Sequence, residues 1–171
     1  IYSVLNQTYK NIEILVIDDA SEDGTDLVIE DLLNNHNNIK YFRNAYSRGA
    51  PASRNIGIKN ANGRFVTGLD DDDYFLPERI ALFVQNFSEE YSFLFSNYIY
   101  DYGKFNKISK GSGIYSKDDL LYGNIIGNQI FTRKDILVKS GGFDENLSSC
   151  QDYDLWFRLL IHQGNALKIS Q

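Results

Sequence analysis

Apolar residues recur along this chain with two different periods. Ile12-Glu13-Ile14-Leu15-Val16-Ile17 and Arg64-Phe65-Val66-Thr67-Gly68-Leu69 are short, nearly continuous apolar runs. Such runs predict strands covered on both faces. Ile39 to Arg43 reads as a further short strand. Helical spacing separates them: Leu27, Val28, Leu32 and Leu33 predict one amphipathic helix. Gly49 to Ala61 predicts a second, with Pro51 in its first turn and Gly63 at its stop. Pro77 to Phe87 predicts a third, and Ile1 to Leu5 the tail of an earlier one. This alternation implies an α/β fold, a mostly parallel central sheet with helices on both faces.

The second half is less regular. Tyr91 to Tyr102 reads as an aromatic, alternating strand, and Gly103 to Gly113 as a polar hairpin or loop. Ser116 caps a short helix through Tyr122, Asn128 to Thr132 is a strand, and Asp152 to His162 is a helix. Leu155, Trp156, Leu159 and Leu160 form the buried side of that last helix, with Trp156 and Phe157 read as core. No repeat, low-complexity tract or linker divides the 171 residues, a length that suits one domain.

Charge narrows the partners. A net charge of −6 provides no basic stripe for a phosphate backbone, which excludes a nucleic-acid partner. The single cysteine, Cys150, rules out a disulfide framework or a Cys/His zinc cluster and points to a reducing, cytoplasmic setting. No apolar run is long enough to span a bilayer, and no signal-peptide pattern opens the chain. The triplets starting at Asn6, Asn86 and Asn146 therefore carry little weight as glycosylation acceptors. A start at Ile1 and the lack of methionine predict a piece of a longer protein.

Chemistry concentrates at the predicted strand ends, where open parallel sheets bind ligands. Asp18-Asp19 ends one strand and Asp70-Asp71-Asp72-Asp73 another. Four adjacent carboxylates repel unless a cation is shared or protons are retained, so a divalent metal with oxygen ligands is the expected relief. A calcium EF-hand loop fails: Phe75 stands where glycine is needed and Ala81 where the closing glutamate is needed. Arg54, early in a helix, suits a phosphate. From these residues alone the aspartates fit a metal loop, an acidic surface turn, or the phosphoacceptor of a signalling receiver domain. The last needs a lysine at a later strand end, and Lys104, in a loop-like stretch, is a poor candidate.

Taken in order, several motifs resemble family 2 glycosyltransferases of the GT-A fold. They are Ser3-Val4-Leu5-Asn6-Gln7-Thr8-Tyr9, Glu13 to Thr25, Ala52-Ser53-Arg54-Asn55-Ile56-Gly57, Leu69 to Tyr74, Gly141-Gly142-Phe143-Asp144-Glu145 and Gln151 to Leu159. The resemblance implies a Rossmann-like nucleotide-sugar-binding half over residues 1–90 and a smaller acceptor-side, base-bearing half over 91–171. Asp18, Asp19, Arg54, Asp70 and Asp71 would bind the nucleotide-diphospho-sugar, Asp19 at the base, most often uracil. Asp72 and Asp73 would hold Mg²⁺ or Mn²⁺, and Asp152 would be the general base, with Asp154 its local rival. The implied reaction inverts the anomeric centre and passes a sugar to a glycan or lipid-linked acceptor, in the cytoplasm or peripherally at the inner membrane face. A catalytically inactive sugar-nucleotide-binding module is the alternative within the same resemblance.

Two departures stand out. The family's opening strand is absent, which predicts a less stable sheet or one that pairs with another copy through exposed edges. Gln151 stands where many members carry glutamate.

Overall fold

The computed structural model describes residues 1–170. After the short helix α1 (Tyr2–Leu5), the first apolar run forms strand β1 (Ile14–Asp18). Strand β2 (Ile39–Arg43) lies parallel to it, with Ile14 opposite Ile39 and Asp18 opposite Arg43. A parallel pair needs a crossover, and helix α2 (Thr25–Asn35) supplies it. Its inward residues correct the sequence expectation. Ile29 and Leu32 pack with Ile14 and Ile39, whereas Leu27 and Val28 are 70% and 58% exposed and Leu33 is also exposed. Residues three apart share a helix face, and the helix begins at Thr25, after Gly24 at φ +85°. With Ile29 and Leu32 packed on the strands, Val28 and Leu27 lie about 100° and 200° around the helix from Ile29 and face outward.

Helix α3 (Ala50–Asn60) packs on β1, its Gly57 lying against the Ile17 side chain. Strand β3 (Phe65–Thr67) and helix α4 (Arg79–Asn86) follow, both shorter than expected. The predicted strand from Tyr91 to Tyr102 divides in two. Residues 92–96 are buried without alternation, and β4 (Leu94–Ser96) lies within them. The chain then leaves that sheet, and β5 (Ile99–Asp101) pairs instead with β6 (Asn106–Ile108) in a separate hairpin. Strand β7 (Gly113–Tyr115) precedes a 3-10 turn, Lys117–Leu120, which a capping box of Ser116 and Asp119 closes. Strand β8 (Phe131–Arg133), helices α5 (Lys134–Lys139) and α6 (Gln151–Gln163), and strand β9 (Ala166–Ile169) complete the chain. Strands β7 and β9 and helix α5 are additions to the elements read from the sequence.

The main sheet has the order β3-β8-β4-β9-β7. Strands β4 and β9 are parallel, β8 is antiparallel to both β3 and β4, and β7 is antiparallel to β9. The strands β3, β4 and β9 therefore run in one direction, with the reversed β8 between β3 and β4 and the reversed β7 at the edge beyond β9. Because β8 separates β3 from β4, the two halves of the chain share one sheet. Phe83 of α4 stacks on Phe131 at 5.3 Å, and Phe131 on Phe65 at 4.8 Å. On another face, Trp156 is buried with Phe93, Phe95, Leu155 and Leu159, and its indole N–H donates to the Gly127 carbonyl at 2.9 Å. Among the described residues no helix is long and apolar enough to cross a membrane.

Phe83 is fully buried. Phe83→Ala should cost about 3–5 kcal/mol in urea unfolding, and Leu27→Ser less than about 0.5 kcal/mol. A comparable loss at Leu27 would restore it to the apolar face.

Candidate active site

Both aspartates at the end of β1 are committed to protein donors. Asp18 is buried and accepts from Ser21 N–H at 2.7 Å and Tyr41 Oη at 2.5 Å, with Arg43 Nε at 3.7 Å. Burial pushes its pKa up, but the bonds from Tyr41 and Ser21 and the Arg43 charge outweigh that and leave it lowered. Asp19 accepts from the Asn44 amide (2.7 Å), Ser47 Oγ (2.7 Å), the Arg48 and Gly49 N–H groups (2.9 and 2.8 Å) and Ser53 Oγ (3.2 Å). Burial works against its charge, yet these donors hold the carboxyl far below the ordinary range. Asp19 thus ties the 44–49 loop and the start of α3 to the end of β1.

The four aspartates begin three residues after β3 and fold into a turn, with Asp73 N–H donating to the Asp70 carbonyl at 3.2 Å. Asp70 accepts from Arg54 Nη2 at 2.8 Å and from the Asn128 amide at 2.7 Å. The same amide reaches Asp73 at 3.3 Å. Asp71 and Asp72 are exposed, with no side-chain hydrogen bond among the described residues. Among those residues no three Asp, Glu, His or Cys side chains are grouped to hold a metal. Arg54 and Asn128 offset part of the repulsion at Asp70 and Asp73. Asp71, Asp72 and Asp73 still suit a hard cation by their chemistry, because Mg²⁺ takes one or two carboxylates and draws its remaining ligands from phosphates and water.

Arg79 lies behind this turn, 8% exposed between the rings of Phe75 and Phe83, each centred 4.5 Å away. Its Nη1 donates to Ser96 Oγ at 2.7 Å, while Nε and Nη2 have no hydrogen-bond partner among the described residues. Burial lowers its pKa to about 10 and the Asp73 charge opposes that fall, so it stays cationic at neutral pH.

Asp152 stands in the first turn of α6, and Arg54 Nη1 approaches its carboxylate at 3.2 Å. One guanidinium therefore joins Asp70 and Asp152, with the Phe143 ring 5.4 Å beneath it. Burial pushes the Asp152 pKa up, Arg54 pulls it down, Asp70 pushes it up again, and the net shift is upward. Asp154 is held at 2.6 Å by Arg158, which also donates to the Ser140 and Gly142 carbonyls. The glycine-rich loop before α6 is fixed from α3. Asn55 accepts from Phe143 N–H and donates to the Phe143 carbonyl, both at 2.9 Å, and to Glu145 at 3.0 Å. A Cβ on Gly142, at φ +70°, would sit 2.5 Å from Asn55 Oδ1.

Asp19, Arg54, Asp70 and Asp152 are thus joined through α3, Asp71 to Asp73 sit beside them, and Asp18 lies behind the strand end. Sequence reasoning assigned no role to Asn128, Arg79 or Arg158. Asn128 had a weak signal, a polar residue after Gly127 and before a buried strand. Asn55 lay in a motif already singled out, without a stated partner.

A family model described as "Glycosyl transferase family 2" matches residues 1–144. The putative colanic acid biosynthesis glycosyl transferase WcaA of Escherichia coli K12 is 34% identical over 100% of this chain and 63% of its own length. The GalNAc(5)-diNAcBac-PP-undecaprenol beta-1,3-glucosyltransferase of Campylobacter jejuni is 34% identical over 93% of this chain and 53% of its own length. The chain therefore spans less than two thirds of either relative. Among solved structures, Staphylococcus aureus TarS 1-349 superposes with a TM-score of 0.81 at 23% identity, covering 99% of this chain and 52% of TarS. TarS 1-349 has also been solved in complex with UDP. This likeness bears out the GT-A fold.

Because folding depresses the Asp19 pKa, its contribution to stability is present above the ordinary value of 3.8 and is lost as pH falls toward the folded value. Asp19→Asn should be less stable than the parent near pH 7, and chemical unfolding should show the gap shrinking below about pH 4. A gap that stays constant into acid would remove the charge from the explanation.

Proposed function

The chain belongs to glycosyl transferase family 2, and from that premise we propose that it forms the core of a metal-dependent, inverting glycosyltransferase. The donor is a nucleotide-diphospho-sugar, in first place a UDP-sugar, and the acceptor is a hydroxyl on a glycan or lipid-linked glycan. The observation that carries this reading is the Arg54 bridge, which brings the acidic turn and Asp152 together at 2.8 and 3.2 Å from one guanidinium. Membership in the family displaces the phosphoacceptor reading, and Lys104 lies at the exposed turn of the β5–β6 hairpin.

Asp152 is the general base in this proposal. Its raised pKa gives the carboxylate more proton affinity than a solvated one, which suits proton removal from a hydroxyl. The acceptor oxygen bonds to the anomeric carbon as the bond to the diphosphate oxygen breaks, and Asp152 takes the hydroxyl proton. Attack and departure on opposite faces invert the configuration. Arg54 keeps Asp152 oriented and brings positive charge to the diphosphate side. Asp70 and Asp71 line the nucleotide, and Asp72 and Asp73 would hold Mg²⁺ or Mn²⁺. When bound, that ion would neutralise the diphosphate and stabilise it as a leaving group. Asp18 supports the base-side wall from behind, and Asp19 meets the base by exchanging Ser47 Oγ for a base N–H. Residues 1–90 serve the donor and 91–171 the acceptor, with Asn128 reaching back from the second group to the acidic turn.

Two variants test the assignment. Asp152→Asn should lower sugar transfer about 10²–10⁴-fold, measured as UDP release across a panel of UDP-sugars, with donor affinity unchanged. Equal loss of affinity and turnover would make the residue structural, and a parent chain that binds donors without turnover would favour the inactive binding module. Asp72→Ala should abolish the Mn²⁺-dependent thermal shift produced by UDP; an intact shift would place the metal elsewhere.

A further inference from the structure

The β5–β6 hairpin takes no part in the site, and its composition departs from that of the whole chain. Residues 98–110 carry Lys104, Lys107 and Lys110 against the one acid Asp101, in a protein with a net charge of −6. All four of these side chains are exposed. Between them runs a ladder of rings. Tyr98 meets Tyr100 edge-on at 4.9 Å, Tyr100 lies 6.1 Å from Tyr102, and Tyr102 stacks on Phe105 at 4.9 Å. Tyr102 and Phe105, at the turn, are 55% and 65% exposed. On the opposite face Ile99 pairs across the strands with Ile108, and both are exposed as well.

A surface shaped for one protein partner presents a single apolar face. This hairpin is apolar on both faces with lysines beside its rings, which suits a surrounding medium rather than an opposing surface. Tyrosine and phenylalanine flanked by lysine are the groups that settle at a membrane–water boundary, where the rings enter the headgroup layer and the ammonium groups meet lipid phosphate. A sugar platform fits less well, because the tip rings are stacked on each other and a pyranose needs an open ring face. A two-stranded hairpin with both faces in water is also marginal by itself, so burial of the tip in a headgroup layer would stabilise it.

We propose that the β5–β6 hairpin is a membrane anchor that docks the chain on an anionic phospholipid surface through Tyr102, Phe105, Lys104 and Lys107. This inference goes beyond sugar transfer and needs no donor or turnover, so its failure would leave the transferase assignment untouched, and the reverse holds too.

Co-sedimentation with vesicles of phosphatidylglycerol and phosphatidylcholine, against phosphatidylcholine alone, tests it. The parent chain should partition onto the anionic vesicles and release as salt is raised. Each lysine should contribute about fivefold, so Lys104→Glu combined with Lys107→Glu should weaken binding by well over tenfold. Tyr102→Ser combined with Phe105→Ser should also weaken binding, with thermal unfolding little changed because these residues lie outside the buried core. Parent binding equal on both vesicle types, binding unaffected by both double variants, or no vesicle binding would each overturn the anchor. Saturable, salt-insensitive binding of soluble oligosaccharides, without vesicle binding and lost in the Tyr102/Phe105 variant, would overturn it in favour of a glycan platform.

Discussion

Consecutive side chains on an α-helix point about 100° apart, and α3 uses that spacing to reach three parts of the molecule from three adjacent positions. Ser53 contacts Asp19 at the end of β1, Arg54 contacts Asp70 and Asp152, and Asn55 grips the backbone of Phe143. The helix is itself held at its start by Asp19 and along its length by the contact of Gly57 with Ile17. If α3 rotated, all three connections would fail together. The site is therefore a property of one helix orientation more than of any single strand end.

Electrostatics explains why Arg54 occupies the middle position. An acidic turn placed near a half-buried Asp152 would repel it, and the guanidinium between them lets both carboxylates stay close. Arg79 adds a second positive charge from inside the core, hydrogen-bonded to Ser96 and framed by two rings. Burying an under-bonded cation is costly, and the acidic turn above it supplies the compensating field. Two arginines thus offset part of the loop's negative charge, and Asp71 and Asp72 stay exposed beside them.

Much of this arrangement was legible in the sequence because it rests on local chemistry. The apolar run ending in Asp18-Asp19, the Pro51 helix start and the Ser116 cap each follow from short-range rules. The ordered motifs placed Arg54, Asp70 and Asp152 in one family pattern. What escaped depends on long-range pairing. Strand β8 inserts between β3 and β4, so Asn128 arrives beside Asp70 through sheet order rather than sequence proximity. The face of α2 is not legible because Leu27 and Val28 are about as apolar as Ile29, and only packing against Ile14 and Ile39 decides between them. Strands β7 and β9, of three and four residues, offer too few positions for any period to emerge.

Arg158 has a consequence for how this chain can vary. By gripping the Ser140 and Gly142 carbonyls it fixes the rotational phase of α6, and Asp152 faces Arg54 only while the spacing between them is kept. One residue inserted between positions 152 and 158 would swing Asp152 by about 100° and move it about 1.5 Å along the axis. The segment should therefore accept many changes of side chain and almost no change of length. Length polymorphism among descendants of this chain is expected to fall in the loops at either end of α6 and to spare those seven positions.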